Sequence, residues 1–281
     1  MYYLKILVLA VVQGIAELLP VSSSAHVIMA EKLMGLDPSS PDMTLILVLL
    51  HTGTMFAVIL YYWRSWHEAY FSSMQVFKQT VVALVVATAI TGVVGLSLQW
   101  LIKHFYAGGS DTFEIEQLFG NLQLVATGLA AAGLVIIGSS AIPDLMGKLT
   151  LGRAALIGAV QGLCLPFRGF SRSGATISTG LIAGVSRKAA EEFSFALAVV
   201  LTPPVIAKEV LRLFSHKSAE AATTTVHLSA VIVPGLLGML FSFGAGLLAL
   251  RLLSSWLGSN RWHFFGYYCM GAAVFCFWLS L

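Results

Sequence analysis

The chain has 281 residues, of which 58% are hydrophobic and 10% are charged, and its formal net charge is +3. A soluble domain carries about 25% charged residues, so this composition excludes an ordinary soluble protein and indicates an integral membrane protein. The basic residues are spread along the chain and form no stripe, which argues against a nucleic-acid partner.

The first predicted element is an apolar segment interrupted by polar residues, 11-VVQGIAELLPVSSSAH-26. A similar segment, 159-AVQGLCLPFRGFSRSGAT-176, occurs in mid-chain. A signal peptide would explain an apolar N-terminus followed by small residues, but it would not be repeated, so we interpret the pair as a duplicated element that is retained. The shared positions are Val12-Gln13-Gly14 with Val160-Gln161-Gly162, and Ser22 and Ser24 with Ser171 and Ser173.

The remaining elements are apolar segments near the roughly 20 residues that a helix needs to cross the hydrocarbon. They lack the alternation of barrel strands, so we predict helices. Pro203-Pro204 is expected to end or kink the fourth of them. The six predicted spans are Leu45–Trp63, Thr80–Ile102, Leu122–Ile142, Phe193–Leu213, Leu228–Leu250 and Phe264–Leu281.

The limbs of the duplicated element are too short to span alone, and a turn rich in Ser and Pro or Gly joins them, so we predict two re-entrant hairpins. Three spans separate the hairpins, so the second enters from the opposite face and the two turns can meet inside the membrane. The predicted fold is an all-α polytopic membrane protein with six full transmembrane helices and two re-entrant helical hairpins. It is a single domain, residues 1–281, built as an inverted-topology repeat of residues 1–105 and 150–281, approximately.

Lys and Arg are slightly more numerous on one face of this topology, which assigns that face to the cytoplasm. The first hairpin then enters from outside, where both termini lie. Glu191 and Glu192 follow Arg187 and Lys188 in what we interpret as a cytoplasmic loop, and residues 107–117 are predicted to be a loop on the outer face.

The polar residues of the hairpins are the candidate site. A charge at mid-membrane costs about 2.5–3.5 kcal/mol, so Glu17 and Arg172 should be paired or should face a wet cavity. Gln13 and Glu17, four residues apart, share a helix face, as two ligands of one cation would. Turns that open helices offer N–H and hydroxyl donors to a phosphate, and the guanidinium of Arg172 suits phosphate oxygens. The other turn residues considered for this site are Ser22, Ser23, Ser24, His26, Arg168, Ser171, Ser173 and Thr176.

Each of these residues also has a purely structural interpretation. The serines can cap helices or allow close packing, Glu17 and Arg172 can form a structural ion pair, and His26 can be an interfacial hydrogen-bonding residue. His51 is interpreted as a polar residue of the core. Cys164, Cys269 and Cys276 are interpreted as packing residues. Taken together, the charged and hydroxyl groups exceed what packing needs, and a phosphate-handling site is favoured.

The segments QGIAELLPVSSSAH, GFSRSGATIS and 184-GVSRKAAEEFSF-195 resemble the bacterial undecaprenyl pyrophosphate phosphatase family, UppP or BacA, and the resemblance covers nearly the whole chain. Two positions depart from the family pattern. Gln13 stands where other members carry a second carboxylate, and Arg168 replaces a proline. The matching positions are Glu17, Ser22, Ser23 and His26 in the first hairpin and Ser171, Arg172, Ser173 and Thr176 in the second.

The resemblance implies removal of the terminal phosphate from C55 isoprenyl pyrophosphate at the outer, periplasmic side of the bacterial cytoplasmic membrane. The product is the carrier lipid of peptidoglycan synthesis, and the activity confers bacitracin resistance. A divalent cation is implied, and we assign Mg²⁺ or Ca²⁺ to Glu17 and Gln13. Ser23 is the expected nucleophile with His26 or Glu17 as its base, unless water attacks directly. The phosphate contacts are expected from Ser22, Arg168, Ser171, Arg172, Ser173 and Thr176.

A transporter is the rival class, because inverted repeats with broken hairpins are common in secondary transporters. A flippase of undecaprenyl phosphate would need the same anion site, alone or beside the phosphatase activity. The expected partners are the polyprenyl pyrophosphate and membrane lipids, and a homodimer is possible.

Overall fold

The computed structural model describes residues 2–36, 41–106, 121–219 and 228–281. Over these ranges the chain forms helices, and its only β-contact is an isolated bridge between Gly147 and Val185. The all-α prediction is confirmed for them, whereas the loop predicted at residues 107–117 lies outside the described residues. The helices are α1 (Tyr2–Leu18), α2 (Ser23–Met34), α3 (Pro41–Tyr70), α4 (Met74–Tyr106), α5 (Leu122–Ser140), α6 (Leu151–Cys164), α7 (Arg172–Ile182), α8 (Arg187–Ala219), α9 (Leu228–Gly258) and α10 (His263–Trp278).

Four helical segments of the described chain are long and apolar enough to cross a membrane: Met43–Tyr70, Met74–Phe105, Leu122–Ser140 and Ile232–Gly258. They overlap four of the six predicted spans. The last predicted span corresponds to α10, whose 16 residues extend about 24 Å at the usual helical rise. The fourth lies in α8, which continues through Pro203 and Pro204 instead of ending there.

Two pairs of helices form hairpins. Lys5 near the start of α1 donates a hydrogen bond to the carbonyl oxygen of Met34 at the end of α2, at 2.5 Å. In the second pair, the bridge between Gly147 and Val185 joins the chain before α6 to the chain after α7. The open ends of each hairpin therefore lie together, and a short turn closes the other end. We call residues 19–22 the first tip and residues 165–171 the second tip.

Contacts with α10 show how the two hairpins are oriented. At the open end of the first hairpin, Lys32 donates to the carbonyl oxygen of Leu279, just past the end of α10, at 3.0 Å. Arg187, three residues beyond the Gly184 that follows the second hairpin, donates to Asn260 Oδ1, just before α10, at 2.6 Å. The hairpins thus enter from opposite ends of α10. The first tip reaches its middle, where Cys269 Sγ lies 3.4 Å from the carbonyl oxygen of Pro20.

Glycines allow the hairpin helices to pack closely against the long helices. A Cβ atom at Gly14 of α1 would lie 2.5 Å from the carbonyl oxygen of Ser242 in α9. In the second hairpin, a Cβ atom at Gly158 of α6 would lie 2.3 Å from the carbonyl oxygen of Ala87 in α4. Small residues let helix backbones approach in this way, so the position of each tip is fixed by the helix behind it.

Glu191 and Glu192 lie in the first turns of α8 and are buried, so their assignment to a loop is wrong. The hydroxyl of Tyr62 in α3 donates to Glu191 Oε1 at 2.5 Å. Ser254 in α9 donates to the same oxygen, and Ser65 in α3 donates to Glu192. These carboxylates have local hydroxyl donors that join α8 to α3 and α9, which is how buried acids are accommodated.

Gly158→Ala is expected to lower the stability of the protein by about 1–3 kcal/mol, because the new methyl group overlaps backbone atoms of α4. Gly152→Ala in the same helix meets open space and should be neutral or stabilising by up to about 1 kcal/mol. Thermal unfolding of both variants in detergent measures the difference. Equal melting temperatures would contradict close packing between α6 and α4.

Candidate functional site

Glu17 and Ser23 form the centre of the site in the first hairpin. Glu17 lies in the last turn of α1, and Ser23 is the first residue of α2. The Ser23 hydroxyl donates to Glu17 Oε2 at 2.5 Å, and Gln13 Nε2 donates to the same oxygen at 3.1 Å. A serine hydroxyl that donates to a carboxylate has the arrangement of a nucleophile with its base.

The first tip brings Ser23 back to Glu17 through an unusual backbone conformation at Ser22. Its φ of 68° lies in the left-handed region, which costs a residue with a Cβ atom roughly 1–2 kcal/mol. The surrounding contacts hold the turn, since the Ser22 and Ser24 hydroxyls are 3.2 Å apart and the Ser22 carbonyl oxygen lies 2.8 Å from His26 Nδ1. Strain of this kind occurs where a site over-determines the backbone.

Arg172 reaches Glu17 from the second hairpin, which confirms the predicted pairing of these two charges. Its NH2 group lies 3.2 Å from Glu17 Oε1, and the two side chains are 24% and 19% exposed. Arg172 is the first residue of α7, and Ser171 caps that helix by accepting a hydrogen bond from the Gly174 amide at 3.2 Å. The NH1 group of Arg172 is buried and has no hydrogen-bond partner in the described chain, so this part of the chain leaves it as an unsatisfied donor.

Two contacts between a side-chain hydroxyl and a backbone group also join the two hairpins beside their tips. The Ser173 hydroxyl donates to the carbonyl oxygen of Leu19 at 3.3 Å, and the Gly169 amide lies 3.5 Å from Ser24 Oγ. Gly169 has a φ of +92°, and a Cβ atom there would lie 2.1 Å from the carbonyl oxygen of Val125 in α5. Only glycine fits this position, so α5 holds the second tip against the first.

His26 lies beside the site, with its two ring nitrogens engaged elsewhere. Nδ1 is 2.8 Å from the Ser22 carbonyl oxygen, and Nε2 is 2.8 Å from the hydroxyl of Tyr268 in α10. The two rings also stack, with their centroids 5.5 Å apart. The structure therefore places His26 as a support of the first tip, with neither nitrogen bonded to Ser23 or Glu17.

The sequence reasoning favoured a core role for His51 over a role in the site. His51 lies in α3, its side chain is 42% exposed, and its Nε2 is 3.6 Å from Glu17 Oε2. The interpretation as a core residue is therefore wrong. The available signal was an ionisable side chain inside an apolar run, which marks a functional position by default.

The remaining predicted phosphate ligands have local partners. Thr176 is fully buried, and its hydroxyl bonds to the Arg172 carbonyl oxygen at 2.8 Å and to Ser194 Oγ at 2.6 Å. Ser171 caps α7 and Ser173 joins the tips, whereas Arg168 lies exposed in the second tip. The structural interpretation of the serines is thus seen in these contacts, and their role in binding phosphate stays a prediction.

The two hairpins contribute different chemistry. Gln161, the counterpart of Gln13, donates to Thr91 Oγ1 at 3.3 Å. Leu165 stands four residues after Gln161, where Glu17 follows Gln13. The first hairpin therefore supplies a carboxylate and a hydroxyl, and the second supplies a guanidinium group.

A family model described as bacitracin resistance protein BacA matches residues 6–275 of the chain. The chain belongs to the bacitracin resistance protein BacA family. Undecaprenyl-diphosphatase 2 of Acinetobacter baylyi is 60% identical over 268 residues, which cover 95% of this chain and 94% of that protein. Undecaprenyl-diphosphatase 2 of Burkholderia orbicola is 32% identical over 290 residues, with 97% and 95% covered. Undecaprenyl-diphosphatase of Desulfitobacterium hafniense is 30% identical over 275 residues, with 94% and 91% covered. The family resemblance drawn from three segments of the sequence is confirmed.

The contact between Glu17 and Arg172 should be measurable as a coupling. Glu17→Gln and Arg172→Met are each expected to destabilise the protein, because each leaves one charge without its partner. The double variant should recover part of the loss, with a coupling energy of about 1–3 kcal/mol. Thermal unfolding in detergent with a chelator measures the cycle.

The exposed pair Arg64 and Glu68, 2.9 Å apart on one helix, is the control for this cycle. Its coupling should be below about 0.5 kcal/mol, because water screens an exposed pair. If the two cycles gave the same coupling, the tips would not be joined by this ion pair.

Proposed function

We propose that this protein is an undecaprenyl-diphosphatase, a hydrolase that converts undecaprenyl (C55 isoprenyl) pyrophosphate to undecaprenyl phosphate and inorganic phosphate. The observation that carries the proposal is the hydrogen bond from Ser23 to Glu17 beside the guanidinium group of Arg172. The names of the relatives support the same reaction. Recycling the carrier lipid in this way would serve peptidoglycan synthesis and confer bacitracin resistance.

Ser23 attacks the terminal phosphorus of the substrate in the proposed mechanism. Glu17 Oε2 accepts the hydroxyl proton as the Ser23 oxygen bonds to phosphorus, and the bond between phosphorus and the bridging oxygen breaks. Undecaprenyl phosphate leaves with the electron pair of that bond. Water then attacks the phosphorus of phosphoserine, and the bond from phosphorus to the Ser23 oxygen breaks. Glu17 returns its proton to that oxygen, and inorganic phosphate leaves with both protons of the water. The short contact with Ser23 favours Glu17 over His26 as the base.

Arg172 binds and neutralises the phosphate in this scheme. Its NH1 group has no hydrogen-bond partner among the described residues, so it can bond to a phosphate oxygen without losing another contact. Backbone amides at the start of α2 and α7 would also donate to the phosphate, because the first turn of a helix leaves N–H groups without partners inside the helix. Ser171, Ser173 and Thr176 hold the second tip and Arg172 in place through the contacts described above.

A divalent cation fits the donor groups of the first hairpin. Glu17 offers carboxylate oxygens, and Gln13 Oε1 is buried without a hydrogen-bond partner in the described chain. Oxygen donors of this kind suit Mg²⁺ and Ca²⁺. Within the described ranges, no three His, Cys, Asp or Glu side chains cluster at one position, so binding would also depend on other donors. A bound cation would neutralise charge on the pyrophosphate oxygens.

The proposed membrane arrangement has six full transmembrane helices and two re-entrant hairpins in the bacterial cytoplasmic membrane. It is supported by the entry of the two hairpins from opposite ends of α10 and by the position of the first tip near its middle, where the second hairpin contacts it. The site would open to the outer, periplasmic face, from which a lipid pyrophosphate has access. A flippase would need the anion contacts but no pair of serine and carboxylate, so the geometry favours the phosphatase.

Release of inorganic phosphate from C55 isoprenyl pyrophosphate by the purified protein tests the proposal. Ser23→Ala should lower the rate by at least about a thousandfold, as loss of a nucleophile does. Arg172→Ala should lower it by about 10²–10³, as loss of a donor to developing charge does. A chelator should lower the rate of the wild type.

Two variants outside the site are the controls. Ser259→Ala removes an exposed hydroxyl that bonds to the Trp256 carbonyl oxygen, and Arg64→Ala removes an exposed guanidinium group. Both should retain the wild-type rate. Turnover within about tenfold of wild type in Ser23→Ala would exclude Ser23 as the nucleophile, and no release from folded wild type would contradict the phosphatase assignment.

A further inference from the structure

The ring of His51 is held in one orientation by its backbone. Nδ1 lies 2.8 Å from the carbonyl oxygen of Leu47, one turn earlier in α3. A carbonyl oxygen only accepts hydrogen bonds, so Nδ1 carries the hydrogen and the neutral ring has its lone pair on Nε2. Histidines that ligate metals characteristically donate their other ring N–H to a carbonyl or carboxylate oxygen in this way.

The separation between His51 and Glu17 is longer than a hydrogen bond and slightly longer than the distance between two ligands of one cation. Nε2 and Oε2 are 3.6 Å apart, whereas a hydrogen bond from nitrogen to oxygen spans about 2.7–3.2 Å. Two donor atoms that each lie about 2.1 Å from a metal are roughly 3.0–3.4 Å apart at octahedral to tetrahedral angles. A small inward movement of either side chain therefore closes a coordination site between them.

The surroundings add a further oxygen donor. Gln13 Nε2 now bonds to Glu17 Oε2, and Gln13 Oε1 has no hydrogen-bond partner in the described chain. A half-turn of the amide exchanges the two atoms and presents Oε1 to the same position. His51 is 42% exposed, so the protein does not enclose its ring.

We propose that His51 Nε2 is a ligand of the divalent cation of this site, together with Glu17 and Gln13. The inference rests on the proposed function and makes its cation more specific. Imidazole nitrogen is a good ligand for transition metals, whereas Ca²⁺ and Mg²⁺ take oxygen. An imidazole ligand therefore favours a transition-metal ion over Ca²⁺, and among these ions Mn²⁺ also takes the carboxylate and amide oxygens of Glu17 and Gln13.

Electron paramagnetic resonance of Mn²⁺ added to the purified, tag-free protein tests this inference without an activity assay. Wild type should bind Mn²⁺, and the bound ion should show magnetic coupling to ¹⁴N of the His51 ring. His51→Gln should lose that coupling and bind Mn²⁺ at least about tenfold more weakly. Its affinity for Ca²⁺, measured by competition, should change by less than about threefold, because Ca²⁺ prefers oxygen.

His67→Gln is the matched control, since it makes the same substitution at an exposed histidine of the same helix. It should retain both the coupling and the affinity. The inference would be overturned if wild type bound Mn²⁺ without coupling to nitrogen, or if it bound no Mn²⁺. Either result would leave His51 as an ion-pair partner of Glu17. The coupling of bound Mn²⁺ to nitrogen is measured on wild type alone, so the test does not depend on the folding of His51→Gln.

Phosphate release from the same wild-type preparation separates the two proposals. Coupling to nitrogen without phosphate release would support the ligand and contradict the phosphatase. Phosphate release without coupling to nitrogen would support the phosphatase and contradict the ligand.

Discussion

The contact between Glu17 and Arg172 joins two hairpins that enter from opposite ends of α10. Each charge alone would be expensive in an apolar protein interior, and each compensates the other only because both tips stop at the same depth. Glu17 and Arg172 come into contact because of three features. These are the lengths of the hairpin limbs, the shape of each turn and the packing of the hairpins against the long helices. A carboxylate, a hydroxyl and a guanidinium group thereby converge although they are 155 residues apart in sequence at their widest.

Close packing makes the meeting of the tips reproducible. Gly14 and Gly158 allow α1 and α6 to lie against α9 and α4, and Gly169 allows the second tip to lie against α5. Polar contacts then refine the arrangement, including the strained turn at Ser22 and the bond between His26 and Tyr268. The two hairpins supply different groups because the second has Leu165 at the position where the first has Glu17. Two hairpins with similar sequences thus contribute different groups to one candidate site.

Much of this architecture could be predicted from the sequence because it depends on local pattern. Apolar length predicted helices, the recurrence of Val-Gln-Gly and spaced serines predicted a second hairpin, and the cost of buried charge predicted that Glu17 and Arg172 would pair. These are properties of short segments or of a single strong energetic term. Predicting them does not require knowing which helices pack against each other.

The features that sequence reasoning missed depend on contacts between distant helices. His51 was assigned to the core because nothing near it in sequence shows that α3 brings it to Glu17. Glu191 and Glu192 were assigned to a loop because their hydroxyl partners come from α3 and α9. The left-handed conformation of Ser22 could not be predicted from the residue type either, because glycine is the usual residue in that conformation.

A structure determined with a non-hydrolysable analogue of the lipid pyrophosphate tests the central claim most directly. One terminal phosphate should lie within hydrogen-bond distance of both Ser23 Oγ and Arg172 NH1, between the two tips. An analogue bound with its phosphates away from the tips, or in contact with only one of them, would contradict a site built by both hairpins.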